Sequence, residues 1–231
     1  MAPVTSEAPG FGLVSVHVPK TAGTSFLAAL RRLHGTALVL DNRDRPLAHG
    51  RWARRTHALR MALACAGKDL PAACVHGHFL PIKYGLARGT RFCTWLRDPV
   101  QRVVSRYHHY VRNGGGEPHH ARWGLVPGLS LEAFVSLPQY QDTYAEYFWM
   151  FRLDRFDFIG IVEDYESDAL RFCDRFGFPR DAMTDEIRNR NPSRQGDAYE
   201  IEPPIERMIR ARNSRDLAIY ERALELRERR N

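Results

Sequence analysis

A strand, a tight loop and a helix start lie in succession near the beginning of this chain, and no other stretch constrains its fold as much. Leu13, Val14, Val16 and Val18 form an apolar run, and Phe26, Leu27, Leu30 and Leu33 recur at helical spacing. Between them lies Pro19-Lys20-Thr21-Ala22-Gly23-Thr24-Ser25, a short loop of small residues and hydroxyls. Such a junction brings unpaired N–H groups and the positive end of a helix dipole to one point, which suits an anionic phosphate group. Lys20 adds a point charge, and Thr21, Thr24 and Ser25 add three hydroxyls. Later strand and helix patterns alternate in the same way. They predict a three-layer α/β fold with a mostly parallel sheet of four or five strands flanked by helices. A chain of 231 residues with 44% apolar content can bury the core of one such domain.

The loop is not that of a nucleoside triphosphatase, G-x-x-x-x-G-K-[ST]. Gly23 and Ser25 fit its last glycine and hydroxyl, but Thr24 stands where the lysine belongs and Val18 where the first glycine belongs. The lysine lies upstream at Lys20. The chain is rich in arginine and has lysine only at Lys20, Lys68 and Lys83. An ammonium is compact and can sit on a single oxygen, whereas a guanidinium is a wide fork.

A second junction follows the buried-strand pattern Phe92–Leu96. Arg97 ends it, Asp98 is a good N-cap, Pro99 a good first helical residue, and Val100, Val103, Val104, Tyr107 and Val111 share a helix face. Arg97 and Ser105, two turns on, can grip one phosphate from two sides. Arg102 and Arg106 on the same helix read as a solvated basic face. A third short strand, Ala72–Val75, runs into His76-Gly77-His78. Ligands collect at the carboxyl ends of strands in α/β sheets, so these histidines should project near the other two motifs. A histidine there can act as a base near neutral pH, pack in the core, or serve as half of a metal pair. No cysteine pair or zinc spacing supports a metal site.

Taken together, the motifs resemble those of sulfotransferases that use 3′-phosphoadenosine-5′-phosphosulfate. Pro-Lys-Thr-Ala-Gly-Thr-Ser is similar to that family's 5′-phosphosulfate loop, closest to its carbohydrate-type branch. Leu-Arg-Asp-Pro-x-x-Arg-x-x-Ser-x-Tyr resembles its 3′-phosphate motif, and His-Gly-His the catalytic motif of uronosyl (heparan sulfate) 2-O-sulfotransferases. The resemblance implies a P-loop-like fold and transfer of a sulfuryl group to a carbohydrate hydroxyl, with 3′-phosphoadenosine-5′-phosphate (PAP) as the product. Lys20, Thr21, Ala22, Gly23, Thr24 and Ser25 would hold the 5′ end of the donor, with Lys20 on the leaving oxygen. Arg97 and Ser105 would hold the 3′-phosphate. His76 is the first choice for the base and His78 the second. A late basic loop contributes Arg190 and Ser193 as weaker donor contacts. No metal is called for.

The remaining features bound the partners. A formal charge of +7 favours anions, and an acidic glycan acceptor fits it, while no nucleic-acid motif is present. Residues 1–231 read as one sulfotransferase domain, with 1–10 flexible and 113–130 an acceptor-side loop carrying Arg122 and Trp123. The doublets His108-His109 and His119-His120 read as surface or acceptor-cleft residues. The irregularly spaced Cys65, Cys74, Cys93 and Cys173 read as reduced thiols. With no apolar signal core or membrane-length segment, a soluble, cytoplasmic, bacterial enzyme is expected. Residues 41–70 suggest one or two helices, Tyr140–Arg152 an aromatic helix, and the tail two helices with an ordinary solvated Arg/Glu face. Two rival readings remain. One is a P-loop kinase using Glu163 or Asp164 at the end of the Phe156–Val162 strand with Mg²⁺. The other is an inactive nucleotide- or glycan-binding module.

Overall fold

The computed structural model describes residues 10–44, 49–113, 124–183 and 198–230. Five strands form one wholly parallel sheet: β1 (Gly12–Val16), β2 (Leu38–Leu40), β3 (Cys74–Gly77), β4 (Thr90–Leu96) and β5 (Phe158–Ile161). Their order is β2-β3-β1-β4-β5. Eight α-helices are found among the described residues: α1 (Gly23–His34), α2 (Arg51–Cys65), α3 (Pro99–Arg112), α4 (Leu131–Ser136), α5 (Thr143–Tyr147), α6 (Tyr165–Phe176), α7 (Pro203–Arg212) and α8 (Ser214–Arg229).

The strands are apolar on both sides because helices cover both faces of the sheet. Leu13, Cys93 and Trp95 point to one face and pack on Phe26 and Leu30 of α1 and Phe172 of α6. Their neighbours Val14, Val16, Phe92 and Leu96 point to the other, against Tyr144 and Tyr147 of α5 and Ala223 and Leu226 of α8. This is the expected three-layer α/β architecture, with five strands. A satellite core formed by α3, α4 and α7 flanks it around Val103, Phe134 and Ile209. All four cysteines are free thiols. No helix among the described residues is long and apolar enough to cross a membrane.

Among its described residues the segment 41–70 holds one helix, α2, within the expected one or two. Two expectations need correction. The aromatic stretch 140–152 is not one helix: α5 ends at Tyr147, and Met150 turns back with a positive φ of 57°. Its aromatic residues Tyr144, Tyr147, Phe148 and Phe151 fill the core against the sheet, so packing rather than helical period governs that segment. Finally, Arg102 is not solvated. It is buried and ion-paired with Asp216 of α8 at 3.2 Å. Asp216, in a tail read as solvated, is itself fully buried and also accepts the N–H groups of Tyr144 (3.0 Å) and Ala145 (3.1 Å). One carboxylate therefore caps α5 and ties it to α3 and α8.

Asp216→Ala would leave the Arg102 guanidinium buried without its counter-charge. We expect this variant to lose ~3–5 kcal/mol of unfolding free energy in urea titration, and the double variant Arg102→Met/Asp216→Leu to recover most of it. A loss under ~1 kcal/mol for the single variant would show that the pair is not a buried one.

Candidate functional site

The chain leaves β1 toward β2 on one side of the sheet, and leaves β4 toward β5 on the other. The carboxyl ends of β1 and β4 therefore flank the topological switch point, where open α/β sheets hold their ligands. Register places Ser15 opposite both His76 and Cys93, and Val16 opposite Gly77 and Thr94. The loops after β1, β3 and β4 thus emerge side by side.

After β1 the loop turns sharply. Lys20 (φ 72°) and Ala22 (φ 59°) both adopt the left-handed conformation. Left-handed residues in such a turn fold backbone N–H groups into an anion-binding concavity. Ala22 is the N-cap of α1, has no side-chain cap bond, and precedes a first turn without acidic residues. The N–H groups and dipole at this helix start are therefore not neutralised by the helix's own side chains. Thr24 is exposed and Ser25 half-buried at this end. Thr21 differs from expectation: its side chain is buried and its hydroxyl donates to the Val18 carbonyl at 2.9 Å. It shapes the loop and does not present a hydroxyl to a ligand.

After β4, Arg97 is only 4% exposed. Tyr144 clamps its backbone: the Arg97 N–H donates to the Tyr144 hydroxyl (2.9 Å), which donates back to the Arg97 carbonyl (2.6 Å). The guanidinium lies 3.9 Å from Glu163 and over the Tyr199 ring at 5.5 Å. Asp98 caps α3 as expected, accepting the Gln101 N–H at 3.0 Å, and Ser105 is buried on that helix. Tyr199 is held to α3 through Gln101, which binds both its N–H and its carbonyl, and stacks on His108 at 4.8 Å. His109 lies near Lys20 and Arg106. Partial burial and then these cations lower its pKa.

The two histidines after β3 have different surroundings. His76 is 3% exposed, bonds the Ser15 hydroxyl through Nδ1 at 2.8 Å and sits 6.2 Å from Phe26 on the α1 side of the sheet. Burial, with help from His78 and Arg31, lowers its pKa to about 3. His78 is half-buried, and its Nδ1 donates to the His17 carbonyl at 2.7 Å. A carbonyl can only accept, so the proton is fixed on Nδ1 and Nε2 becomes the basic nitrogen. The Tyr147 hydroxyl lies 3.5 Å from the same Nδ1.

His17 is the residue that sequence reasoning passed over. Its ring stacks on His78 at 4.4 Å and on His76 at 5.4 Å, and its N–H donates to the Gly77 carbonyl at 2.8 Å. A Cβ on Gly23 would stand 1.8 Å from its Nε2, so the loop after β1 closes over this imidazole only because position 23 is glycine. Gly77, at φ 150°, has the same constraint against the Asp41 carbonyl. A histidine directly after the strand, with a glycine in the following loop, was the available signal. Of the other candidates, Arg190, Ser193, Arg122, Trp123, His119 and His120, together with residues 1–9, lie outside the described residues. The acids of the kinase reading are engaged: Glu163 accepts from the Asp98 N–H and the Tyr220 hydroxyl, and Asp164 pairs with Arg227 at 2.9 Å.

Comparison with known proteins supplies the family. The model of the Sulfotransferase family matches residues 7–221. A solved sulfotransferase from Alicyclobacillus acidocaldarius is 14% identical, the alignment covering 94% of this chain and 96% of that one, with a TM-score of 0.48. The mouse sulfotransferase SULT7A1, solved in complex with PAP, is also 14% identical, over 85% of this chain and 69% of that one, with a TM-score of 0.45. No curated protein sequence matches the chain.

The buried His76 carries a pH signature. Its folded pKa of about 3 lies below the unfolded value of 6.5, so between these limits the unfolded chain binds more protons. Its contribution to stability is present above pH 6.5 and is lost as pH falls toward 3. Urea midpoints at pH 7.5 and pH 5.0 should fall further for the native protein than for His76→Gln. Equal losses would mean that His76 is not held neutral in the fold.

Proposed function

The chain belongs to the sulfotransferase family, and from that premise we propose that it moves a sulfuryl group from 3′-phosphoadenosine-5′-phosphosulfate to a hydroxyl of a carbohydrate-type acceptor, releasing PAP. The observation that supports this reading is that the loops after β1, β3 and β4 emerge side by side at the carboxyl end of the sheet, bringing the start of α1, Arg97 and a histidine with its proton on Nδ1 to the same end. The start of α1 with Lys20, Thr24 and Ser25 suits a 5′-phosphosulfate, and Arg97 with Ser105 suits a 3′-phosphate. The donor supplies an activated sulfuryl group on a phosphate leaving group. Arg190 and Ser193 remain candidate donor contacts.

His78 is the better base of the two histidines. Its Nε2 would accept the proton of the attacking hydroxyl while Nδ1–H stays on the His17 carbonyl, which orients the ring and stabilises the imidazolium that forms. As the new O–S bond forms, the S–O bond to the 5′-phosphate breaks and its electron pair stays with the phosphate. Lys20 and the N–H groups of α1 would meet that charge, as positioned electrostatics do in phosphoryl transfer. His76, buried on Ser15, would support the strand end and stay neutral.

Calorimetry with PAP and with ATP tests the donor: tight PAP binding without added metal is expected, and binding of ATP alone would overturn the reading. Arg97→Ala should weaken PAP about 10- to 150-fold, the loss of ~1.5–3 kcal/mol of hydrogen bonding to a charged group. With labelled donor and a glycan panel, His78→Ala should lower kcat by about 10²–10⁴ with little change in PAP affinity, and His76→Gln far less. The reverse order would return the base to His76.

A further inference from the structure

One helix carries apolar side chains on its outer side as well as its inner one. α2 buries Ala58 and Ala62, with Ala58 packed against Leu80, Ile82 and Trp149. The rest of such a surface helix is ordinarily polar. Here Trp52, Thr56, Leu59 and Leu63 stand at i, i+4, i+7 and i+11 and form one row facing away from the core. Trp52 and Leu63 are each 73% exposed and Leu59 37%. Thr56 turns its hydroxyl back onto the Trp52 carbonyl at 3.0 Å, so it does not break the row with a free polar group. Beyond the helix, the exposed Leu86 is fastened to the same end, its carbonyl accepting the Gly67 N–H at 3.0 Å. Single exposed apolar residues need no explanation, but an aligned row on one helix does.

The charge beside the row has one sign. From Arg51 to Lys68 the chain holds Arg51, Arg54, Arg55, Arg60 and Lys68 and no acid. Glu146 draws Arg51, Arg54 and Arg55 to one flank of the helix, and Arg55 lies over both the Trp52 and Trp149 rings. Arg60, next to Thr56 and Leu63 on the helix surface, and Lys68 are both exposed. Arg88 joins them through its N–H on the Lys68 carbonyl at 2.8 Å, with Asp69 3.8 Å from its guanidinium.

Charge and length choose the occupant of this face. A second copy of the chain would set one arginine-rich helix against another with no acid between them. A coiled-coil partner needs a row sustained over three or more heptads, and this one stops after less than two, at the end of α2. An anionic surface without register meets both facts. Apolar side chains enter the boundary of a bilayer, tryptophan settles at headgroup depth, and flanking cations meet acidic lipids. We propose that α2 docks the protein on an anionic lipid bilayer, with Trp52, Leu59 and Leu63 inserted and Arg60 and Lys68 on lipid phosphates. None of these residues belongs to the proposed donor or base groups, so the docking surface stands independently of the sulfuryl-transfer reading.

Co-sedimentation of the full chain with vesicles tests this. One set is phosphatidylcholine alone, the other phosphatidylcholine mixed equally with phosphatidylglycerol. The mixed vesicles should bind at least about tenfold more tightly, and the difference should shrink as salt is raised. Because the whole chain has a net charge of +7, the apolar row needs a variant of its own. Trp52→Gln/Leu63→Gln should weaken binding to the mixed vesicles at least about tenfold. Arg60→Gln and Lys68→Gln should weaken it about fivefold each. All four side chains are exposed, so the urea midpoints of these variants should match that of the native chain. Equal binding to both vesicle types, binding to neither, or undiminished binding by the double apolar variant would overturn the docking surface. A dimer that the double variant abolishes, without vesicle binding, would give the face to a second copy. Capture of an acidic amphipathic peptide by a chain that ignores both vesicle types would give it to a protein partner. Either result would overturn the bilayer.

Discussion

His17 holds the loops after β1 and β3 together. Its N–H is bonded to Gly77, its carbonyl to His78, and its ring lies between the two later histidines and beneath Gly23. The start of α1 can approach His78 only because glycine leaves room for that imidazole. The carbonyl of the same residue decides which nitrogen of His78 carries the proton. A single position therefore fixes both the path of the loop after β1 and the chemical state of the proposed base. Substituting it would disturb donor binding and proton transfer together, whereas most site residues should affect one or the other.

Arg97 depends on a longer chain of support. Asp216 caps α5 through the Tyr144 N–H, and the Tyr144 hydroxyl clamps the backbone of Arg97 on both sides. The Asp216 carboxylate also holds Arg102, one turn beyond Arg97 at the start of the helix that carries Ser105. Burying this carboxylate and guanidinium costs desolvation that a single ion pair does not always recover. Here the remaining lone pairs of Asp216 are used by two helix N–H groups. The result is a rigid link from the C-terminal helix, through α5, to the strand end where the proposed 3′-phosphate contact sits.

What could be read from the sequence was what local rules encode. The apolar runs around Val14 and Phe92, the Asp98-Pro99 helix start and the loop from Pro19 to Ser25 depend on neighbours within a few residues, and each forms as expected. Arg102 could not be read correctly, because its partner lies 114 residues away and an arginine on an amphipathic helix ordinarily faces water. The aromatic segment after Tyr140 was misread for a related reason: its side chains answer to the sheet beneath them, and that surface exists only once β1, β4 and β5 are assembled. Thr21 shows the limit at the scale of one side chain. Composition counts a hydroxyl, but loop geometry turns it inward onto Val18.

The loop also breaks a local rule where function would require it. Left-handed backbone is the ordinary territory of glycine, and a non-glycine residue there costs ~1–3 kcal/mol. The chain places glycine at many positive-φ turns, yet puts lysine and alanine at positions 20 and 22. Glycine at 20 would relieve the strain but remove the ammonium from this loop. Arginine would keep the charge but spread it over a fork too wide for one oxygen. Of the other two lysines, Lys83 is occupied by Asp41 at 2.5 Å in a buried network with Tyr84, and Lys68 follows the positive-φ Gly67 in the turn after α2. In a chain that otherwise uses arginine almost throughout, strain retained at Lys20 is what a compact charge beside a single leaving oxygen would require.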